Sequence, residues 1–226
     1  AMMDITTGNA ARERLEASLN EKEALLKEVH HRVKNNLQLI SSLLNLQASR
    51  ISDPITAALF ADSRNRVRSM ALVHENLYRA GNFAEIEMQT HVLSLCTHLR
   101  RAYGRARVEI TAESDDVTLD MDRAVSCGLI INELVSNAFK HAFPGERGGY
   151  IQVRFGRSDN GTCILTVTDD GVGMPEQFDF IETRSLGLQL VRDLVEQLHG
   201  TFSVDRTGGT TCTLTFPAGR SARLAP

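Results

Sequence analysis

The sequence predicts an α+β chain: an N-terminal antiparallel helical hairpin, a four-helix bundle when dimeric, followed by an α/β sandwich. Three observations carry this prediction. Apolar residues recur at helical steps through the first half of the opening stretch, at Leu19, Leu26, Val29, Val33, Leu37, Ile40 and Leu44. A single break, Ser52-Asp53-Pro54, interrupts the helical pattern before residue 82. Beyond residue 82, short alternating runs interleave with shorter helices, the signature of a layered α/β unit. The expected boundaries are 1–82 for the hairpin and 83–226 for the sandwich, with 218–226 a loose tail.

In chain order, 9–51 reads as one long helix with Asn9 as its N-cap. Its charged segment 11–27 resembles the flank of a coiled coil entering from an upstream module, so a sensor domain is expected outside this sequence. A second helix spans 55–80, with Ile55, Leu59, Val67, Met70, Leu72, Val73 and Leu77 as its apolar set, and Gly81-Asn82 closes it. A lone hairpin leaves apolar surface uncovered, which predicts a second copy. Then come a short strand at 84–88, a helix at 90–103, strands at 107–113 and 117–119, and a helix at 121–142. Strands at 149–157 and 162–169, a helix at 186–199 stopped by Gly200, and strands at 201–206 and 210–216 complete the unit.

Composition removes several function classes. Of 226 residues, 25 are Lys or Arg and 28 are Asp or Glu, a net charge of −3, against a non-specific nucleic-acid binder. Cys96, Cys127, Cys163 and Cys212 are scattered and read as buried thiols of a reducing cytosol. No apolar run approaches the ~20 residues of a membrane span, so a cytoplasmic location is expected.

Chemistry concentrates in two places. The first is Glu28-Val-His-His-Arg-Val-Lys-Asn-Asn-Leu-Gln38. Adjacent residues on a helix are turned by about 100°, so the two histidines face different surroundings. His30 has Leu26, Val33 and Leu37 as stacked neighbours, whereas His31 has Lys27, Glu28, Lys34, Asn35 and Gln38. Taken alone, His31 is a solvated surface residue.

The second place lies about a hundred residues downstream. Glu133, Asn137, Lys140 and His141 share one stripe of helix 121–142, opposite Ile130, Ile131, Leu134, Val135 and Ala138. A carboxylate, a carboxamide and a lysine on one face suit a magnesium-bound polyphosphate, although periodicity alone describes an ordinary amphipathic helix. Strand 162–169 places Asp169 on the face of Leu165 and Val167, where a buried carboxylate needs a donor such as an adenine amino group. Gly171 and Gly173 follow and allow close backbone approach, though Asp-Gly also marks a plain turn. Ser185-Leu-Gly187 opens the last helix, either as an anion-binding N-terminus or as a simple cap. Gly208-Gly209-Thr210 fits a hairpin turn as well as a site.

Together, and in this order, these boxes resemble the sensor histidine kinases of two-component systems. The match is to the HWE-like subgroup whose phosphoacceptor box reads His-His-Arg-Val-Lys-Asn-Asn-Leu-Gln. The resemblance runs from about Leu25 to Pro217, and rests chiefly on His30–Gln38, Asn132–Phe143 and Asp169–Pro175. It implies a dimerisation and histidine-phosphotransfer domain followed by a catalytic ATP-binding domain of the gyrase, heat-shock and histidine-kinase type. It implies ATP and Mg²⁺, with Glu133 and Asn137 handling metal and water, Asp169 on adenine and Gly187 on the phosphate side. His31 becomes the phosphoacceptor, Glu28 the group that polarises its ring, and Asn35 a phosphate-positioning neighbour. A response-regulator receiver domain becomes the partner.

The sequence also departs from the commoner pattern. Arg32 stands where an acidic residue usually follows the phosphoacceptor, and the second glycine box is Ser-Leu-Gly. The segment from Pro175 to Ser185 predicts an abbreviated lid, with Phe178 and Phe180 as the phenylalanine box. The rival readings are a histidine phosphotransfer protein with an inactive ATPase-like domain, and a gyrase-like ATPase or serine kinase.

Overall fold

The computed structural model describes residues 2–80, 85–104, 107–174 and 185–218. Helix α1 (Met2–Ala48) and helix α2 (Pro54–Ala80) form the hairpin. The first helix runs through Asn9, which therefore caps nothing: the charged segment extends the helix toward its start. Asp53 caps the second by accepting the Thr56 N–H at 2.8 Å, and Pro54 takes the first helical position, where its missing donor costs nothing. Lys34 of α1 pairs with Glu75 of α2, and Arg64 Nη1 donates to Asn45 Oδ1 at 2.7 Å across the hairpin. Val33, Leu37 and Leu44 are half-buried, whereas Leu39, Leu43 and Leu46 stand more than half exposed, at 61%, 52% and 59%. The expected close at Gly81-Asn82 lies outside the described residues.

Strand β1 (Ile86–Glu87) and helix α3 (Met88–Tyr103) open the second unit, followed by β2 (Val108–Ser114), β3 (Thr118–Leu119) and helix α4 (Met121–Asn137). Strands β4 (Gly149–Arg157) and β5 (Thr162–Asp169), helix α5 (Leu186–Gln197), β6 (Thr201–Asp205) and β7 (Thr210–Pro217) complete it. The main sheet has the order β2-β4-β5-β7-β6, and only β2 and β4 are parallel. That parallel pair needs a crossover, which α4 supplies. Burial alternates along β5, with Cys163, Leu165, Val167 and Asp169 turned inward. All four cysteines are free and buried.

Two helix ends differ from the expected pattern, the first of them at the site. Helix α4 ends at Asn137 and continues as one π-helical turn, Ala138–Ala142, a form concentrated at functional sites. At the other end of the layer, α5 stops through His199, whose φ of 51° puts a non-glycine residue in the left-handed position just before Gly200.

Candidate nucleotide site and its junction with the hairpin

A cavity of about 420 Å³ opens between α4, its π turn, the inner face of β5 and β7, and the start of α5. Leu134, Ala138, Val167, Leu188 and Cys212 make apolar walls, and Asn137, His141, Asp169, Ser185 and Thr210 supply polar groups. Such an apolar slot with few fixed polar groups is what a planar base with a polar tail requires.

Asp169 anchors the inner end and is 7% exposed. Its Oδ1 accepts the Gly171 N–H at 3.0 Å, and Thr210 donates to it from backbone and hydroxyl. Burial pushes its pKa up, and these donors oppose the shift by favouring the ionised form. Asp170 points away, as alternation requires, and accepts the Tyr150 N–H at 2.7 Å.

Two glycines are fixed by close approach. A Cβ on Gly171 would stand 2.4 Å from the Ala142 carbonyl oxygen, and the adjacent Val172 N–H donates to that same oxygen at 2.9 Å. A Cβ on Gly187 would meet Glu133 Oε2 at 2.3 Å, so a side chain there displaces that carboxylate. Gly173 lines the cavity with a φ of +77°. Ser185 precedes α5 without a side-chain capping bond, and its carbonyl accepts the Gln189 N–H at 3.0 Å.

The single stripe expected on 121–142 divides. Asn137 and His141 line the cavity, whereas Glu133 and Lys140 turn toward α2. Glu133, 3% exposed, accepts from Arg66 Nε at 2.6 Å and Arg66 Nη2 at 2.8 Å, and Asn132 Nδ2 adds a third bond at 3.0 Å. Lys140 Nζ donates to Asp62 Oδ2 at 2.6 Å, and Tyr103 Oη donates to Asp62 Oδ1 at 3.1 Å. Glu133 raises the Arg66 pKa further, mainly through these hydrogen bonds. Two physical causes split the stripe: α2 packs on the polar side of α4, and the π turn changes the angular step after Asn137. Arg66 and Asp62 carry no sequence signal, because their partners lie 67 and 78 positions away. The apolar walls were legible only in part, through the alternation that pairs Val167 with Asp169.

At the other expected centre, His31 is exposed on α1. The Asn35 side chain lies 3.4 Å from its Nδ1. Glu28 does not reach that ring: its carboxylate accepts from Arg32 Nε at 2.7 Å. The reason is local, since Arg32 sits one turn after Glu28 and carries the opposite charge. The side chain of His30, and the phenylalanines 178 and 180 of the lid, lie outside the described residues.

Two family models match this chain, and the first extends from α1 through α3. Residues 28–103 match the model of a histidine kinase family, and residues 122–220 that of the histidine kinase-, DNA gyrase B-, and HSP90-like ATPases. The sensor histidine kinase PdtaS of Mycobacterium tuberculosis is 37% identical over 216 residues, which is 93% of this chain and 43% of the relative. The chain thus spans less than half the length of that protein. A blue-light-activated histidine kinase of Erythrobacter litoralis is 29% identical over 209 residues, 90% of this chain and 60% of that one. The solved histidine kinase domain of a blue-light activated kinase from E. litoralis superposes with a TM-score of 0.67 at 28% identity, covering 88% of this chain and 93% of that domain. With these two matches in sequence order, and relatives that align across both, this chain belongs to the sensor histidine kinases.

Proposed function

We propose that this chain is an ATP-dependent protein-histidine kinase that phosphorylates His31 and passes the phosphoryl group to an aspartate of a response-regulator receiver domain. One observation carries the reading: the exposed His31 and a slot holding a buried, donor-rich Asp169 beside Asn137 and His141 occur in one chain.

In this reading Asp169 accepts a hydrogen bond from the exocyclic amine of adenine. Asn137, His141 and the first turn of α5 hold the triphosphate, where free backbone N–H groups favour anions. The residues fit a magnesium ion delivered with the nucleotide. Mg²⁺ keeps waters and phosphate oxygens and needs only one or two protein oxygens. Asn137 offers such an oxygen at the cavity wall, whereas both Glu133 oxygens are held by Arg66 in this arrangement. When bound, the metal offsets charge on the phosphates.

The lone pair of His31 Nε2 attacks the γ-phosphorus as the bond to the β–γ bridging oxygen breaks, and ADP leaves with that electron pair. In this arrangement Asn35 Nδ2 faces His31 Nδ1, so Nε2 becomes the free nucleophile once the amide flips and its oxygen accepts the Nδ1–H. The Nδ1 proton is then released to water on this open face, or to Glu28 once that carboxylate leaves Arg32.

The exposed stripe of Leu39, Leu43 and Leu46 we assign to a second copy, completing a four-helix bundle. Incubation with γ-labelled ATP tests the activity: label that is lost in acid and kept in alkali is expected. Acid-stable label would mark a serine kinase instead, and no label with no nucleotide binding would leave a phosphotransfer protein. Among the described residues no helix is long and apolar enough to cross a membrane.

A further inference from the structure

A second cavity, of about 340 Å³, opens where α1, α2 and α3 meet, away from the nucleotide slot. Arg64 and Arg68, one turn apart on α2, face it together with His98 and Arg101 of α3, and Ser41 of α1 closes the third side. Among the described residues no carboxylate lines it. Arg64 donates only to the neutral Asn45 amide, and neither Arg68 nor Arg101 has an ion-pair partner among the described residues. Behind this wall the Nε2 of His98 is buried without a hydrogen-bond partner among the described residues. Burial and the three surrounding guanidinium groups push the His98 pKa down, which favours the neutral ring.

Crowding three like charges around a buried nitrogen costs free energy, and among the described residues no carboxylate pairs with Arg64, Arg68 or Arg101. The same junction shows the contrast, since Arg66 and Lys140 nearby each have a carboxylate. A guanidinium fork matches a phosphate oxygen pair. The volume exceeds that of a bare phosphate.

We propose that this cavity is an anion site for a phosphate or phosphomonoester dianion that ties the ATP-binding unit to the hairpin. Two of its walls come from the hairpin and the third from α3, which packs on β2 and α4 of the ATP-binding unit. A ligand seated there therefore stabilises the docked arrangement by mass action. The inference stands apart from histidine phosphorylation, because no residue of the nucleotide slot takes part.

The test is calorimetric titration of the whole chain with inorganic phosphate, and separately with glycerol phosphate, at constant ionic strength and with ADP present to fill the slot. One saturable site is expected, weakened at least about tenfold by Arg68→Gln and by Arg101→Gln. Tighter binding of glycerol phosphate would mean that the rest of the cavity is used, and equal binding that phosphate alone is the ligand. In phosphate-free buffer both variants should melt no lower than the parent, because each removes a repelling charge. Absence of saturable binding, equal affinity in the variants, or variants that melt lower without phosphate would each overturn the proposal. A chain that binds no ADP would undo the nucleotide reading and leave this titration readable.

Discussion

Arg66 and Glu133 close a two-bond fork across the junction of the hairpin and the ATP-binding unit, at 2.6 and 2.8 Å. The pair is asymmetric: the arginine side chain is 23% exposed and the carboxylate 5%. Removing the arginine strands a buried charge, whereas removing the carboxylate leaves a guanidinium that water can reach. Arg66→Ala should therefore cost about 3–5 kcal/mol, and Glu133→Gln about 1–2 kcal/mol. The double variant should cost less than the two singles summed. Urea unfolding of the four proteins measures this, and strict additivity would show that the fork contributes no coupling.

For Asp169, burial holds the carboxyl pKa above its ordinary value. The folded protein thus keeps this proton to higher pH than the unfolded chain. The stabilising contribution is full below the unfolded carboxyl value, about 3.9, and is lost as pH rises through the folded one. Asp169→Asn should be at least as stable as the parent at pH 7, with a smaller loss of stability between pH 4 and 7. The same variant should lose preference for ATP over GTP. Equal binding of ATP and GTP by the parent would count against the adenine role.

Asn137 lines the slot and is half-buried, with no partner among the described residues that its loss would strand. Asn137→Ala is expected to abolish autophosphorylation while circular dichroism and melting stay near the parent's. An unchanged rate of labelling would remove Asn137 from the metal and phosphate site.

His31→Gln should end labelling completely with the helices intact, whereas His30→Gln should alter packing or rate. A phosphoryl group brings roughly two negative charges, which the exposed face of His31 can hydrate. Mass spectrometry under alkaline conditions, on a peptide spanning both residues, locates the phosphate. Finding it on His30 would overturn the assignment.

Leu39, Leu43 and Leu46 on α1 and Leu59 on α2 are each more than half exposed. Light scattering at micromolar concentration should give the mass of a dimer. Charged substitution at Leu43 should shift it toward monomer, and a parent protein of monomer mass would refute the assignment of that stripe.

Periodicity and punctuation were enough for most of the architecture. The break at Ser52-Asp53-Pro54 and the alternation that turns Asp169 inward with Leu165 and Val167 are local, and local rules fix them. Asn137, His141, Asp169, Gly173, Ser185 and Thr210 were all singled out from the sequence, and the fold brings them to one cavity. What the chain alone could not reveal is which neighbour each polar group meets. Glu133 and Asn137 sit one turn apart on one stripe, yet one faces Arg66 and the other the slot, because α2 covers only part of α4. The π turn that reorients Lys140 toward Asp62 has no signature in Ala138–Ala142. The arginines of the second cavity come together only when three helices, distant in sequence, pack. Propensity and period act over a turn or two of chain, whereas ion pairs and cavities depend on side chains brought together by tertiary packing, and that packing decided them here.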